Sequence, residues 1–224
     1  MNLIIGDSHS RNIKFNNSIH HLCIGGTAKG LNNPNSKSNY NNEIINNINN
    51  NNYKNIFFLF GGVDMDFSFI YKYIGDPKIN YVDFNYDIIQ NYLTFIKNNF
   101  SNKSVIILSV GLPVINDDHF VGNYIHNGGR ILNFENINIE TLQSLKQNIP
   151  NIYTRTEITL NLNKQLQNEI KKLNMANIKY LDITSFTYDE KIKRIKDEFF
   201  TKNDHHNYKR NFFFTDIINR FLEN

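Results

Sequence analysis

The sequence predicts a single α/β domain over residues 1–224, built on a buried parallel sheet. Two observations predict it. The first is a set of short runs rich in Ile, Val, Leu and Phe at residues 2–5, 21–24, 56–60, 105–110 and 178–183. They lack the alternation of half-exposed strands, as strands buried on both faces do. The second is the helical spacing between the runs. Residues 86–98 place Ile88, Ile89, Tyr92, Phe95 and Ile96 three and four apart, and residues 156–173 keep a four-residue step through Ile158, Leu162, Leu166 and Ile170. Residues 208–222 carry Phe212, Phe213, Ile217, Ile218 and Phe221. Strands alternating with helices imply a parallel sheet covered on both sides. Residues 32–42 and 116–129 read as loops, the second long enough for a lid or binding wall.

Composition narrows the function classes. Hydrophobic residues make up 40% and charged residues 20%, which excludes a disordered or collagen-like chain. The net charge is +3 with no Lys/Arg block, so neither a nucleic-acid footprint nor a membrane-surface patch is expected. The lone Cys23 excludes an internal disulfide and suits a reducing compartment. No apolar run reaches about 18 residues, and Asp7 interrupts the first one, so the reading expects a soluble, cytoplasmic protein without a signal peptide. The runs of asparagine around residues 46–52 read as a compositional bias rather than a functional segment.

In parallel sheets ligands sit beyond the C-terminal ends of the strands. The first run leads directly into Gly6-Asp7-Ser8-His9-Ser10, which offers a nucleophilic hydroxyl at that edge. Taken alone, this tripeptide is equally a turn with an Asp or Ser cap. The second run ends in Gly25-Gly26-Thr27-Ala28-Lys29-Gly30, where glycine lets backbone N–H groups approach a reacting centre. Gly25 and Gly30 have the spacing of a phosphate-binding loop, but Leu31 and Asn32 follow instead of Lys-Ser/Thr, which leaves nucleotide binding a remote option. The third run ends in Phe60-Gly61-Gly62-Val63-Asp64-Met65-Asp66. Near the C-terminus stands Asn203-Asp204-His205-His206-Asn207, which puts imidazoles and a carboxylate ahead of a helix. A serine hydroxyl needs such a base to take its proton, and a carboxylate to orient the ring. Asp64, Asp66, His119 and His126 form no known ligand pattern, so no metal is expected.

Together these blocks resemble the SGNH/GDSL hydrolase superfamily. Gly6-Asp7-Ser8 matches its first block, Gly26 its second-block glycine, Gly61-Gly62-Val63-Asp64 overlays the third, and Asp204-His205-His206 corresponds to the last. The resemblance implies a three-layer α/β/α sandwich of flavodoxin-like type with a five-stranded parallel sheet. It implies Ser8 as nucleophile, a C-terminal histidine as base, and the backbone N–H groups of Ser8 and Gly26 as oxyanion donors, with no cofactor. Gly62, Asp64, Asp7 and His9 join the candidate oxyanion and substrate-binding residues.

Two departures stand out. The family's third-block asparagine, a side-chain donor to the oxyanion, is Val63 here. His9 and Lys29 are the candidate replacements. In the last block neither His205 nor His206 has an aspartate three residues earlier, so either histidine remains a candidate base, with Asp204 completing a triad or a Ser-His dyad acting alone. The expected activity is hydrolysis of a short acyl ester, such as an O-acetyl group on a carbohydrate. Acyl transfer to a sugar hydroxyl and a catalytically silent binding protein are the alternatives. Arg155 reads as a solvated or salt-bridged residue at a helix start, and residues 32–38 as a wall of the site.

Overall fold

The apolar runs pair as expected. In the computed structural model, which describes residues 1–11, 13–36, 38–76, 78–117, 119–120, 147–200 and 213–223, five parallel strands form one sheet. They are β1 (Asn2–Gly6), β2 (Ser18–Leu22), β3 (Ile56–Leu59), β4 (Val105–Leu108) and β5 (Ile178–Leu181), in the order β2-β1-β3-β4-β5. Every residue of β1, β3 and β4 is buried, so helices cover both faces of the sheet. The register runs Leu3 beside Ile56 and Ile56 beside Val105, which stacks β-branched and aromatic side chains in continuous rows. Phe58 packs at once on Tyr92 and Phe100, fixing the long helix α3 (Tyr81–Phe100) against the central strand.

Several boundaries differ from the sequence expectation. The second strand spans Ser18–Leu22 rather than 21–24, so it starts three residues earlier and takes in His20 beside His21. It is an edge strand with mostly half-buried residues, and a polar edge strand leaves no apolar run to read. Residues 32–42 are not one loop: α1 (Tyr40–Asn49) begins inside them and continues through the asparagine-rich stretch. A short helix α2 (Ile70–Gly75) follows β3 through a π-helical turn at Asp64–Phe69.

The helix expected at 156–173 starts earlier. It is α4 (Ile152–Leu173), capped by Asn151, whose side chain accepts the Thr154 amide at 2.9 Å. After β5 come a single turn, α5 (Thr184–Thr187), and a two-stranded hairpin of β6 (Tyr188–Asp189) and β7 (Arg194–Ile195). The final helix is α6 (Phe213–Glu223). Most of the expected long loop at 116–129 lies outside the described residues. Among the described residues no helix is long and apolar enough to cross a membrane.

Candidate active site

The strand order reverses between β1 and β3, and their C-terminal ends open the crevice where parallel sheets of this order bind ligands. Ser8 stands there. It begins a 3-10 turn, Ser8–Ser10, directly after β1. Asp7 builds that turn. Its carboxylate is fully buried, caps the turn by accepting the His9 amide at 2.9 Å, and reaches across to the Val63 amide of the β3 loop at 3.3 Å. The Ser10 amide and the Ser10 hydroxyl both donate to the Asp7 carbonyl, at 3.0 and 2.7 Å. The Ser10 proton being spent there, its oxygen accepts from His20 Nε2 at 2.9 Å. Gly6 makes the turn possible, since a Cβ there would lie 2.5 Å from the Leu59 carbonyl and 2.6 Å from Ser10.

His9 is held at both ends. Its Nδ1 lies 3.1 Å from Asp7 Oδ1 and its Nε2 lies 3.0 Å from Asp66 Oδ2. Burial disfavours the imidazolium, but Asp7 and Asp66 outweigh it and raise its pKa to about 10. The ring lies against Gly62, where a Cβ would come 2.3 Å from Nδ1. Gly62 is therefore a packing surface for this histidine. Gly61 beside it adopts a φ of +114°, a conformation that suits glycine.

Asp64, on the π-helical turn, is also buried, at 1% exposure. It accepts the Ala28 amide at 2.6 Å and the Lys29 amide at 3.4 Å, so it ties the third strand-end loop to the second. Burial pushes its pKa up to about 7, against the lowering effect of those amide bonds. Gly26 lies on the same second loop, and its N–H closes a turn on the Cys23 carbonyl at 2.9 Å. Lys29 Nζ is turned toward α3, where it pairs with Asp87 at 2.5 Å. Asn32, Asn33 and Pro34, from the expected wall, line a groove of about 560 Å³ with Asp64, Ser68 and Lys72.

The structure thus brings together Asp7, Ser8, His9, Gly62 and Asp64, while Asp204, His205 and His206 lie outside the described residues. Asp66 is the site residue the sequence reading undervalued. Its signal was the i, i+2 spacing from Asp64, which on the π-helical turn sends one carboxylate to the Ala28 loop and the other to His9. Beside His9 and Asp66 opens an apolar recess of about 30 Å³, lined by Leu59, Met65, Val110, Leu112 and Phe214 among others. Of the candidate metal ligands, His119 is exposed and pairs with Asn116, and His126 is outside the described residues. Among the described residues no group of three or more His, Cys, Asp or Glu is placed to hold a metal ion.

No family model and no curated protein sequence matches the chain. Solved structures do. A GDSL-like lipase from Bacteroides thetaiotaomicron matches 99% of this chain and 87% of its own, at 13% identity and a TM-score of 0.56. A Bacteroides fragilis protein designated an acylhydrolase matches 99% of this chain and 86% of its own, at 12% identity and a TM-score of 0.54. The chain has the α/β fold of the SGNH/GDSL hydrolases.

Proposed function

We propose that the chain is a serine esterase that cleaves short acyl esters with Ser8 as nucleophile. The observation that carries this reading is that Ser8 begins a turn locked by buried Asp7, directly after β1, where the strand order reverses. In the reaction the Ser8 hydroxyl attacks the acyl carbonyl while His205 or His206 takes its proton. The tetrahedral intermediate collapses, the alcohol leaves with that proton, and water then releases the acid from the acyl-enzyme by the same steps. His9 does not suit the role of base, because both ring nitrogens face carboxylates and it stays protonated at neutral pH. The apolar recess beside it, lined by Met65, Val110 and Leu112, would receive a short acyl group such as acetyl.

The test is labelling with a fluorescent fluorophosphonate, beside turnover of p-nitrophenyl acetate and p-nitrophenyl octanoate. The wild type is expected to label and to prefer acetate, and Ser8→Ala to do neither. A specific feature favours one other reading, a silent binding protein. Val63 offers no side-chain donor, and the Gly26 amide is engaged with Cys23, so two oxyanion-donor positions of the resembled family are not open. Absence of both labelling and acetate turnover in the wild type selects that reading.

A further inference from the structure

We propose that His9, gripped through both ring nitrogens by Asp7 and Asp66, is the positioning residue that locks the nucleophile turn onto the β3 loop. The proposal rests on the reading of Ser8 as nucleophile. Its geometry is independent of that reading.

A neutral imidazole has one N–H and one lone pair. With carboxylate oxygens at 3.1 Å from Nδ1 and 3.0 Å from Nε2, the neutral ring would aim its lone pair at one of them. Only the doubly protonated ring satisfies both contacts as hydrogen bonds. Asp7 is on the turn itself, and Asp66 is on the π-helical turn beyond β3. Among the described residues these are the two charged groups whose contacts with the ring shape its titration, and Gly62 supplies the backbone surface on which the ring lies. The ring therefore bridges two strand-end loops, and its own main chain follows Ser8 directly. Loss of its proton breaks one of the two bonds and loosens the turn that carries the nucleophile, leaving its tie to the β3 loop to the Asp7–Val63 bond.

The arrangement bears on the substitution of the family's asparagine by Val63. His9 has no ring N–H left over to serve an oxyanion, so it does not act as a replacement donor. It acts through Ser8, by narrowing the positions the hydroxyl occupies. Small misplacements of a reacting group cost large factors in rate. A site short of one donor depends more heavily on placement.

The experiment uses the full chain and two readouts. The first is the Cε1–H signal of His9 in a ¹H–¹³C correlation spectrum, assigned by its loss in His9→Gln. The second is the pH profile of kcat for p-nitrophenyl acetate. In the wild type the His9 signal is expected to stay in the imidazolium position to about pH 9, and kcat to show no alkaline limb below that pH. In Asp66→Asn, His9 is expected to titrate at a lower pH, and an alkaline limb in kcat to appear at that same pH. Asp66→Glu, which keeps the carboxylate, is expected to return the limb toward the wild-type position. His9→Gln is expected to lower kcat by about 10²-fold with a smaller change in KM.

A wild-type His9 that titrates between about pH 6 and 8 overturns the clamp, even if Asp66→Asn and Asp66→Glu fail to fold. A shifted His9 titration in Asp66→Asn with no matching limb in kcat overturns the positioning role. If neither fluorophosphonate labelling nor ester turnover occurs in the wild type, the esterase reading fails instead, and the positioning role falls with it. The spectrum still decides the clamp.

Discussion

The Asp64 carboxylate accepts the Ala28 amide at 2.6 Å, across 36 residues of sequence, and joins the loops that end β2 and β3. The bond is buried, and its acceptor is a group that burial pushes toward the neutral form, to a pKa of about 7. A carboxyl whose folded pKa is raised binds its proton more tightly in the native than in the unfolded chain. It therefore favours folding below the ordinary value of 3.8, and that advantage is lost as pH rises toward about 7. Asp64→Asn keeps an oxygen for the Ala28 amide and removes the titration. Its urea midpoint is expected to change less between about pH 5 and pH 8 than that of the wild type. An unchanged difference between the two pH values would show that Asp64 is not the group responsible. Asp64→Ala leaves buried amides without an acceptor and is expected to cost about 1–3 kcal/mol at either pH.

Gly62→Ala tests the packing of the His9 ring. The new methyl would stand 2.3 Å from Nδ1 and 2.5 Å from Cγ, and neither a carboxylate-held ring nor a strand-end backbone gives way by that much without loss. The expected cost is about 1–3 kcal/mol of stability, the usual range for overpacking. A larger relative fall in Ser8 labelling than in stability is expected, because the displaced ring belongs to the turn that carries Ser8. Thermal melts and labelling rates on the same samples check both. Wild-type labelling in Gly62→Ala would refute the coupling between ring and serine.

How far this could be read in advance depended on where burial lies. The central strands were legible because each is buried on both faces, leaving unbroken runs such as Ile56-Phe57-Phe58-Leu59. The edge strand Ser18–Leu22 was misplaced because it is only half-buried and mixes Ser18, His20 and His21 with Ile19 and Leu22, which leaves no unbroken apolar run. Helix α1 was missed for a related reason. Half of it is asparagine, a poor helix former, and only Ile44 and Ile48, one turn apart, are buried to hold it on the core. The site divided in the same way. Ser8 and the strand-end glycines were visible as a motif, whereas the Asp66 contact with His9 spans 57 residues and follows from a π-helical turn that sequence periodicity does not report. The histidine block at 205–206 was visible as a motif but lies outside the described residues.

Asn163 shows how a single amide can set a loop. From α4 it accepts the Val110 amide and donates to the Val110 carbonyl, both at 2.8 Å, and it is buried at 4% exposure. Val110 follows β4 and lines the apolar recess beside His9. Asn163→Ala strands a buried donor and a buried acceptor at once and is expected to cost about 2–4 kcal/mol in urea unfolding. Asn163→Asp keeps the acceptor but buries a carboxylate against the Val110 carbonyl, so it is expected to cost at least as much at neutral pH and less once the carboxyl is protonated. If the alanine variant costs no more than an exposed substitution, water replaces both bonds to Val110 and Asn163 does not set the loop.

Arg155 sets the neighbouring stretch of that loop, and here the salt bridge is the lesser part. Its guanidinium donates to the Pro150 carbonyl at 3.1 Å and the Ile115 carbonyl at 3.0 Å, and lies 3.8 Å over the Phe120 ring. The ion pair with Asp117 is short, at 2.8 Å, but Asp117 is 48% exposed while Arg155 is 5% exposed. Burial lowers the Arg155 pKa and Asp117 opposes that shift, yet a planar fork is what lets one side chain reach carbonyls on both sides of the ring. Solvent screens the half-exposed carboxylate, so Asp117→Asn is expected to cost less than about 1 kcal/mol. Arg155→Lys keeps the charge but loses the fork, leaving at least one buried carbonyl unpaired, and is expected to cost about 2 kcal/mol or more. Urea midpoints of the two variants decide the ranking. A costlier Asp117→Asn would mean that the charge pair, and not the carbonyl fork, anchors the loop behind the recess.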